Sequence, residues 1–383
     1  MQSCYYILTQ VKKIFGVANA SIGIVLLVIA LVFLKVAKNF DNKEAFYSTF
    51  ITSIVVIIVG SYFLVRGLLV ILESPYSPSA AMNLPLTPPF PNTILLFIPI
   101  LIYFFGIYAI IEYIRKKYVT KEAQMEVINK DAIAPMDLEI ARKLFHTVID
   151  AVLICYLFLG DFVSESVFSA ATSMGTTHGY TPFFFIVHAI IWMKKPYIIP
   201  NGGQMVTVFA VFLVFILASF SDLIRLYKFR YYPIKVVSNI YREKERYYFG
   251  PHIYLAAGGL FATVFFPPKI AMATIAVAAL GDAFATIIGI SYGKHKLHGG
   301  KSRKTWEGCI AGFIAGFGFA LLSYIILLPK YPDGNLMEGI VVSLVGSLIL
   351  FLIDFYSPPI KASDNILNPV LCSIAMFTIS LFL

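Results

Sequence analysis

Long apolar runs separated by short polar stretches set the plan of this chain. Runs long enough to cross a bilayer occur near residues 15–36, 48–72, 93–114, 144–160, 204–227, 252–267, 269–290, 308–328, 338–355 and 366–383. A hydrocarbon core about 30 Å thick takes about 20 helical residues. The pattern therefore predicts about ten crossings in an all-α, polytopic membrane bundle, helices being the spanning element that satisfies its own backbone. A membrane barrel would instead show strands of about ten alternating residues, and the chain has no such pattern. The run 182–193, ending at Lys194, Lys195 and Pro196, is too short to cross and is expected to be re-entrant or interfacial.

Composition removes the soluble alternative. Of 383 residues, 59% are hydrophobic and 13% charged, with a mean hydropathy of +0.81, whereas a soluble domain carries about 25% charged residues. The net charge is +9, with the cations crowded into a few polar segments. That fits a positive-inside orientation or an anionic substrate, and no nucleic-acid-binding motif accompanies it. Segments 115–143, 225–246 and 294–304 are rich in Lys and Arg, while 73–92 and 161–180 hold acids and neither cation. All three basic segments fall on one side of the membrane, expected to be cytoplasmic, together with the loop 354–365; both termini then lie outside. Cys4, Cys155, Cys309 and Cys372 are scattered without a CxxC pair, so neither a disulfide framework nor structural zinc is expected. Lys12 and Lys13 precede the first apolar run without a small-residue cleavage site after it, which reads as a retained span.

The Pro-rich stretch 75–91 reads as an outer loop, and the polar stretch 115–141 as a cytoplasmic helix or linker. The chain thus divides into an accessory part, 1–137, with three spans and the linker, and a core, 138–383, that holds every candidate functional group.

Asp282 stands out because it lies in an apolar run, where an unpaired carboxylate costs several kcal/mol and so usually has a partner or a task. Between Gly281 and Gly308 the chain reads GDAFATIIGISYGKHKLHGGKSRKTWEG, with five Lys or Arg from Lys294 to Lys304. An acid for a divalent cation, glycines for close backbone approach and cations for anionic oxygens suit a phosphate-handling loop. Asp282, Gly289 and Gly293 recur at one to two helical turns. They could hold a metal and admit a nucleotide, or serve close helix packing. Lys301 and Lys304 could grip phosphates while Glu307 holds a metal or fixes a lysine; the plainer alternative is a Lys304–Glu307 ion pair at i, i+3. His295 and His298 could touch phosphate or simply be solvated. Upstream, Arg142 and His146 share a helical face with Lys143 about 100° round, which suits either a phosphate grip or interfacial anchoring. Asp354, Asp364 and Asn365 bracket a loop containing Pro358 and Pro359; they could complete a hard-oxygen site of Mg²⁺ type, or Asp364 or Asn365 could cap the last helix. The charges of Asp222, Arg225 and the run 241–250 read as solvated. Arg66, inside the second span, is expected to snorkel or pair with an acid.

These motifs, in order, resemble the CTP-dependent polyprenol kinase family, which includes dolichol kinases, phytol kinases and CTP-dependent diacylglycerol kinases. The resemblance rests on Arg142, Lys143 and His146; on Gly281, Asp282 and Gly289; on Gly293, Lys294, Lys304, Thr305, Glu307 and Gly308; and on Asp364, Asn365 and Pro369. It implies transfer of the terminal phosphate of CTP to the hydroxyl of a dolichol or other isoprenoid alcohol at the cytoplasmic membrane surface, without nucleic acid. Asp282 and Asp364 are expected to hold Mg²⁺, with Glu307 and Asp354 as further ligands. Lys301, Lys304, Arg142 and Lys143 are expected to grip the triphosphate; Gly281, Gly289, Gly293, Lys294, Thr305 and Asn365 line the nucleotide, and His146 or an aspartate takes the alcohol's proton. The element KSRKTWEG, residues 301–308, is similar to that of phosphatidate cytidylyltransferases, so a synthase of CDP-lipids is the second reading. A transporter with an ion-coupling acid is the third. The membrane is expected to be the plasma membrane of a prokaryote, or the endoplasmic reticulum of a eukaryote.

Overall fold

The computed structural model describes residues 2–72, 106–107, 110, 113, 143, 148–160, 162, 202–228, 232, 247–300, 304–356 and 362–383. Among them the chain is all-helical, with no strand. Its long helices are α1 (Gln2–Ala37), α2 (Lys43–Leu72), α3 (Gly202–Lys228), α4 (Pro251–Phe265), α5 (Pro268–Ala276), α6 (Asp282–Tyr292), α7 (Trp306–Leu327), α8 (Leu336–Tyr356) and α9 (Asp364–Ser380). Six segments among the described residues are long and apolar enough to cross a membrane: Gly16–Ala37, Lys43–Leu72, Gly203–Tyr227, Pro268–Tyr292, Trp306–Leu327 and Leu336–Tyr356. The protein is thus a multi-pass membrane protein in its helical composition. The expected span 93–114 and the short run 182–193 lie wholly or largely outside the described residues. The expected span 144–160 is described from residue 148, as a 3₁₀ turn Val148–Ala151, a short α turn Val152–Ile154 and a π turn Cys155–Leu159.

Two compact units are interleaved along the chain: one comprises 1–32, 53–100 and 152–213, the other 33–52, 101–151 and 214–383. In the first, the helices α1 and α2 run antiparallel and meet through glycines spaced seven apart. A Cβ on Gly23 would lie 2.6 Å from the Gly60 carbonyl oxygen, and one on Gly67 would lie 2.5 Å from that of Gly16. Backbones approach this closely only where side chains are missing, the usual means of association in lipid. Arg66 lies 6.0 Å from the centre of the Tyr62 ring.

In the second unit α7 packs along α6 and α8, α9 along α8 and α4, and α5 against α7 and α9. Several hydroxyl side chains in this unit donate to the backbone of their own helix, as a hydrocarbon surrounding favours. Thr52 donates to the Ser48 carbonyl at 2.8 Å, Ser219 to Phe215 at 2.6 Å and Ser347 to Ser343 at 2.8 Å. Asp222 and Arg225 correct the expectation of solvated charge, since both are buried. Arg225 donates through Nε to Asp222 Oδ1 at 2.8 Å and through Nη2 to Oδ2 at 3.0 Å, and also donates to the Tyr248 carbonyl; the Gly250 amide donates to Asp222 at 2.6 Å. This pair ties α3 to the turn that starts α4. Lys269, buried at the start of α5, lies 4.9 Å from the centre of the Tyr324 ring.

Candidate metal and phosphate site

Three aspartates from three segments converge. Asp282 opens α6, Asp354 lies in the last turn of α8 and Asp364 opens α9. One carboxylate oxygen from each lies within 4.8 Å of the others. Asp282 and Asp354 are buried and Asp364 is half-buried. The sequence places Asp282 and Asp354 seventy-two residues apart, and only the packing of α6, α7 and α8 brings them together.

Local structure aims each acid. The span Pro268–Tyr292 is not one regular helix: a π turn, Val277–Gly281, separates α5 from α6 and ends at Asp282. Such a turn inserts a residue and rotates the helix beyond it. On α9, Ser363 is the N-cap, its Oγ accepting the Asn365 amide at 3.3 Å. That corrects the assignment of the cap to Asp364 or Asn365 and leaves the Asp364 carboxylate available. Asn365 donates from Nδ2 to Asp364 Oδ1 at 3.3 Å and to Ser363 Oγ at 3.2 Å, so it orients Asp364. The Ser363 amide in turn donates to Ser48 Oγ, near the start of α2, at 2.8 Å. The second helix thus supports the loop carrying Asp364, a contact with no signature in the sequence. Pro369, inside α9, cannot donate to the Asn365 carbonyl one turn back, and it packs where Gly258 of α4 leaves room.

Two lysines close on the acids. Lys304 donates to Asp354 Oδ1 at 2.5 Å and to Asp364 Oδ2 at 3.1 Å. Lys143 donates to Asp282 Oδ2, with both side chains buried. Burial alone would pull the Lys304 ammonium down, but the carboxylates of Asp364, Asp354 and Asp282 outweigh it and hold this group above its ordinary range. Three carboxylates against two ammonium groups leave one negative charge over in this cluster. The donor set, all carboxylate oxygen, fits a hard divalent cation of Mg²⁺ type and not zinc.

Several expected residues lie elsewhere or act otherwise. Glu307 is not among the acids. Its carboxylate accepts the His295 amide at 3.2 Å and contacts His295 Nδ1 at 2.6 Å, so it is tied to His295 in place of the Lys304–Glu307 ion pair. Thr305 caps α7, its Oγ1 accepting the Gly308 amide at 3.2 Å. The glycines serve helix packing: Gly281, Ala285 and Gly289 on one side meet Gly308, Gly312 and Gly316 on the other. A Cβ on Gly308 would lie 2.7 Å from the Ala285 carbonyl oxygen, and one on Gly281 would lie 3.2 Å from the Gly316 Cα. Gly289 has Thr305 and Gly308 against it, and Gly293 has Thr305, so their missing side chains leave room for α7 and its cap. Lys294 is exposed. Arg142, His146 and Lys301 lie outside the described residues.

No protein-family model matches the chain, and neither a curated protein nor a solved structure matches it.

Proposed function

We propose that the protein is a CTP-dependent lipid kinase that phosphorylates the hydroxyl of a membrane isoprenoid alcohol. The observation that carries this reading is the meeting of Asp282, Asp354 and Asp364 with the ammonium groups of Lys304 and Lys143. Phosphoryl transfer asks for charge neutralisation and in-line positioning and little covalent chemistry from the protein. A bound Mg²⁺ would neutralise charge on the transferring phosphoryl group. The three aspartates would hold it, and Lys143 and Lys304 would turn from their carboxylates to the phosphate oxygens. The alcohol oxygen forms a bond to the terminal phosphorus while the bond from that phosphorus to its bridging oxygen breaks. CDP leaves and the alcohol proton is released, with His146 or an aspartate as its acceptor.

We read ten crossings in all, the six apolar spans being joined by 93–114, 144–160, the shorter α4 and α9. The site faces the cytoplasm beside the basic segment 294–304, and the lipid tail enters from the bilayer. The membrane is the plasma membrane of a prokaryote or the endoplasmic reticulum of a eukaryote. The second reading, a CTP:phosphatidate cytidylyltransferase, draws on the KSRKTWEG element. It would use the same acids and place the alpha phosphate before the lipid.

The test gives purified protein Mg²⁺, a panel of polyprenols and phosphatidic or archaetidic acid, and CTP labelled at the gamma or the alpha phosphate. Gamma label in an alcohol-dependent lipid product supports the kinase. Alpha label in the lipid supports the synthase. Absence of both overturns the two enzyme readings for these substrates, and unchanged turnover in Asp282→Asn would overturn the site.

A further inference from the structure

Between α6 and α7 the described residues 293–300 and 304–305 form two paired arms against the end of α8. Lys296 and Thr305 form an antiparallel bridge, the Leu297 amide donates to the Lys304 carbonyl at 3.0 Å, and the Trp306 amide donates to the His295 carbonyl at 2.9 Å. Leu297 is fully buried and anchors the near arm. The Trp306 ring lies 5.4 Å from the Phe355 ring and anchors the far one. At the tip, His298 reaches across to α8. Its Nε2 donates to the Phe355 carbonyl at 2.7 Å, and its ring lies 5.1 Å from the Phe355 ring.

Two features mark this contact as more than an incidental surface bond. His298 has φ +52°, the only positive φ at a non-glycine position among the described residues. Such a conformation persists where surrounding contacts over-determine it. Its acceptor also belongs to the last turn of a helix, where carbonyls lack an intrahelical donor and the helix dipole favours a donor or a cation. Phe355 is the residue after Asp354, and Lys304 reaches Asp354 from the same hairpin. The hairpin is therefore tied to the end of α8 by two neighbouring rungs, His298 to Phe355 and Lys304 to Asp354.

We infer that His298 is a positioning residue, latching the hairpin onto α8 so that Lys304 is held against Asp354 and Asp364. Its link to catalysis rests on the kinase reading; the latch itself does not.

The test compares the whole protein with His298→Gly and His298→Gln. Glycine accepts the positive φ without cost and deletes the ring, separating the latch from the backbone; glutamine restores a donor at similar reach. Acylation of lysine amines is followed by mass spectrometry, with exposed Lys296 as the internal reference. In His298→Gly, Lys304 should react about fivefold faster relative to Lys296, the size expected for losing one such hydrogen bond, and glutamine should return part of the protection. If acylation of Lys304 is unchanged in His298→Gly, the latch is overturned. Where gamma-phosphate transfer is measurable, His298→Gly should lower kcat with little change in the KM for the lipid. A raised lipid KM with kcat intact overturns the positioning role. If acylation responds while wild-type protein transfers no phosphate, the latch stands and the kinase reading fails.

Discussion

Replacing Lys304 with methionine separates an anion-gripping lysine from a built-in counter-ion. The ammonium lies 2.5 Å from Asp354 Oδ1 and 3.1 Å from Asp364 Oδ2, so a divalent ion seated among the three carboxylates would lie about 4 Å from it. With 27% of the Lys304 side chain exposed and Asp354 buried, water-like screening sets the lower bound. A unit charge and a double charge 4 Å apart then repel by about 2 kcal/mol, or about thirtyfold in affinity. Without nucleotide, Lys304→Met should bind Mn²⁺ about thirtyfold more tightly than the wild type, read by calorimetry on detergent-purified protein. Exposed Lys296→Met, in the same hairpin, should not change. The metal-free variant should also melt lower and regain stability on adding Mn²⁺, since binding to the folded state alone is stabilising. An affinity that stays the same or weakens would refute the reasoning, because the lysine would then not compete with a cation.

Asp222→Asn should cost about 1.5–3 kcal/mol by weakening the charge-assisted hydrogen bonds that Asp222 accepts from Arg225; unfolding in detergent checks it, and a change under about 0.5 kcal/mol would count against the clamp. Gly308→Ala should destabilise by about 1–3 kcal/mol, because the new Cβ meets backbone at Ala285 and Gly289 rather than a side chain that can move; a thermal melt equal to wild type would contradict this. Lys304 has a folded-state value raised above its unfolded one, so its stabilisation is complete below about pH 10 and fades only as pH rises through the raised value. Wild-type melting in chelator should therefore show this contribution lost only above about pH 10, and a loss of it between pH 7 and 9 would contradict the assignment.

Much of the helical plan was legible because a bilayer imposes length and hydropathy on each span. Asp282 was legible because charge in an apolar run demands a reason; Asp354 and Asp364 showed only as acids bracketing a loop, with capping an equal alternative. What the sequence could not show was pairing: Lys143 with Asp282, and Lys304 with Asp354, join residues 139 and 50 apart. Glu307 misled because an i, i+3 lysine is its obvious partner, yet the hairpin turns His295 onto it. Asp222 and Arg225 misled because a charge-rich neighbourhood looks solvated, whereas their i, i+3 spacing already permitted a closed pair. The glycines carried a readable signal: positions 281, 285 and 289 are small at four-residue intervals, as are 308, 312 and 316, the pattern of two helices in close contact. The Ser363 cap was also readable, a serine directly ahead of the first turn.

The π turn at Val277–Gly281 gives the fourth apolar span two rotational phases, one for α5 and one for α6. Adding a single alanine there would leave the composition and hydropathy of the span almost untouched, yet turn Asp282 by about 100° relative to α5. This part of the chain is therefore sensitive to how many residues it holds as well as to which ones. A conservative substitution leaves that phase as it is, where a one-residue insertion would disconnect the acid from its partners.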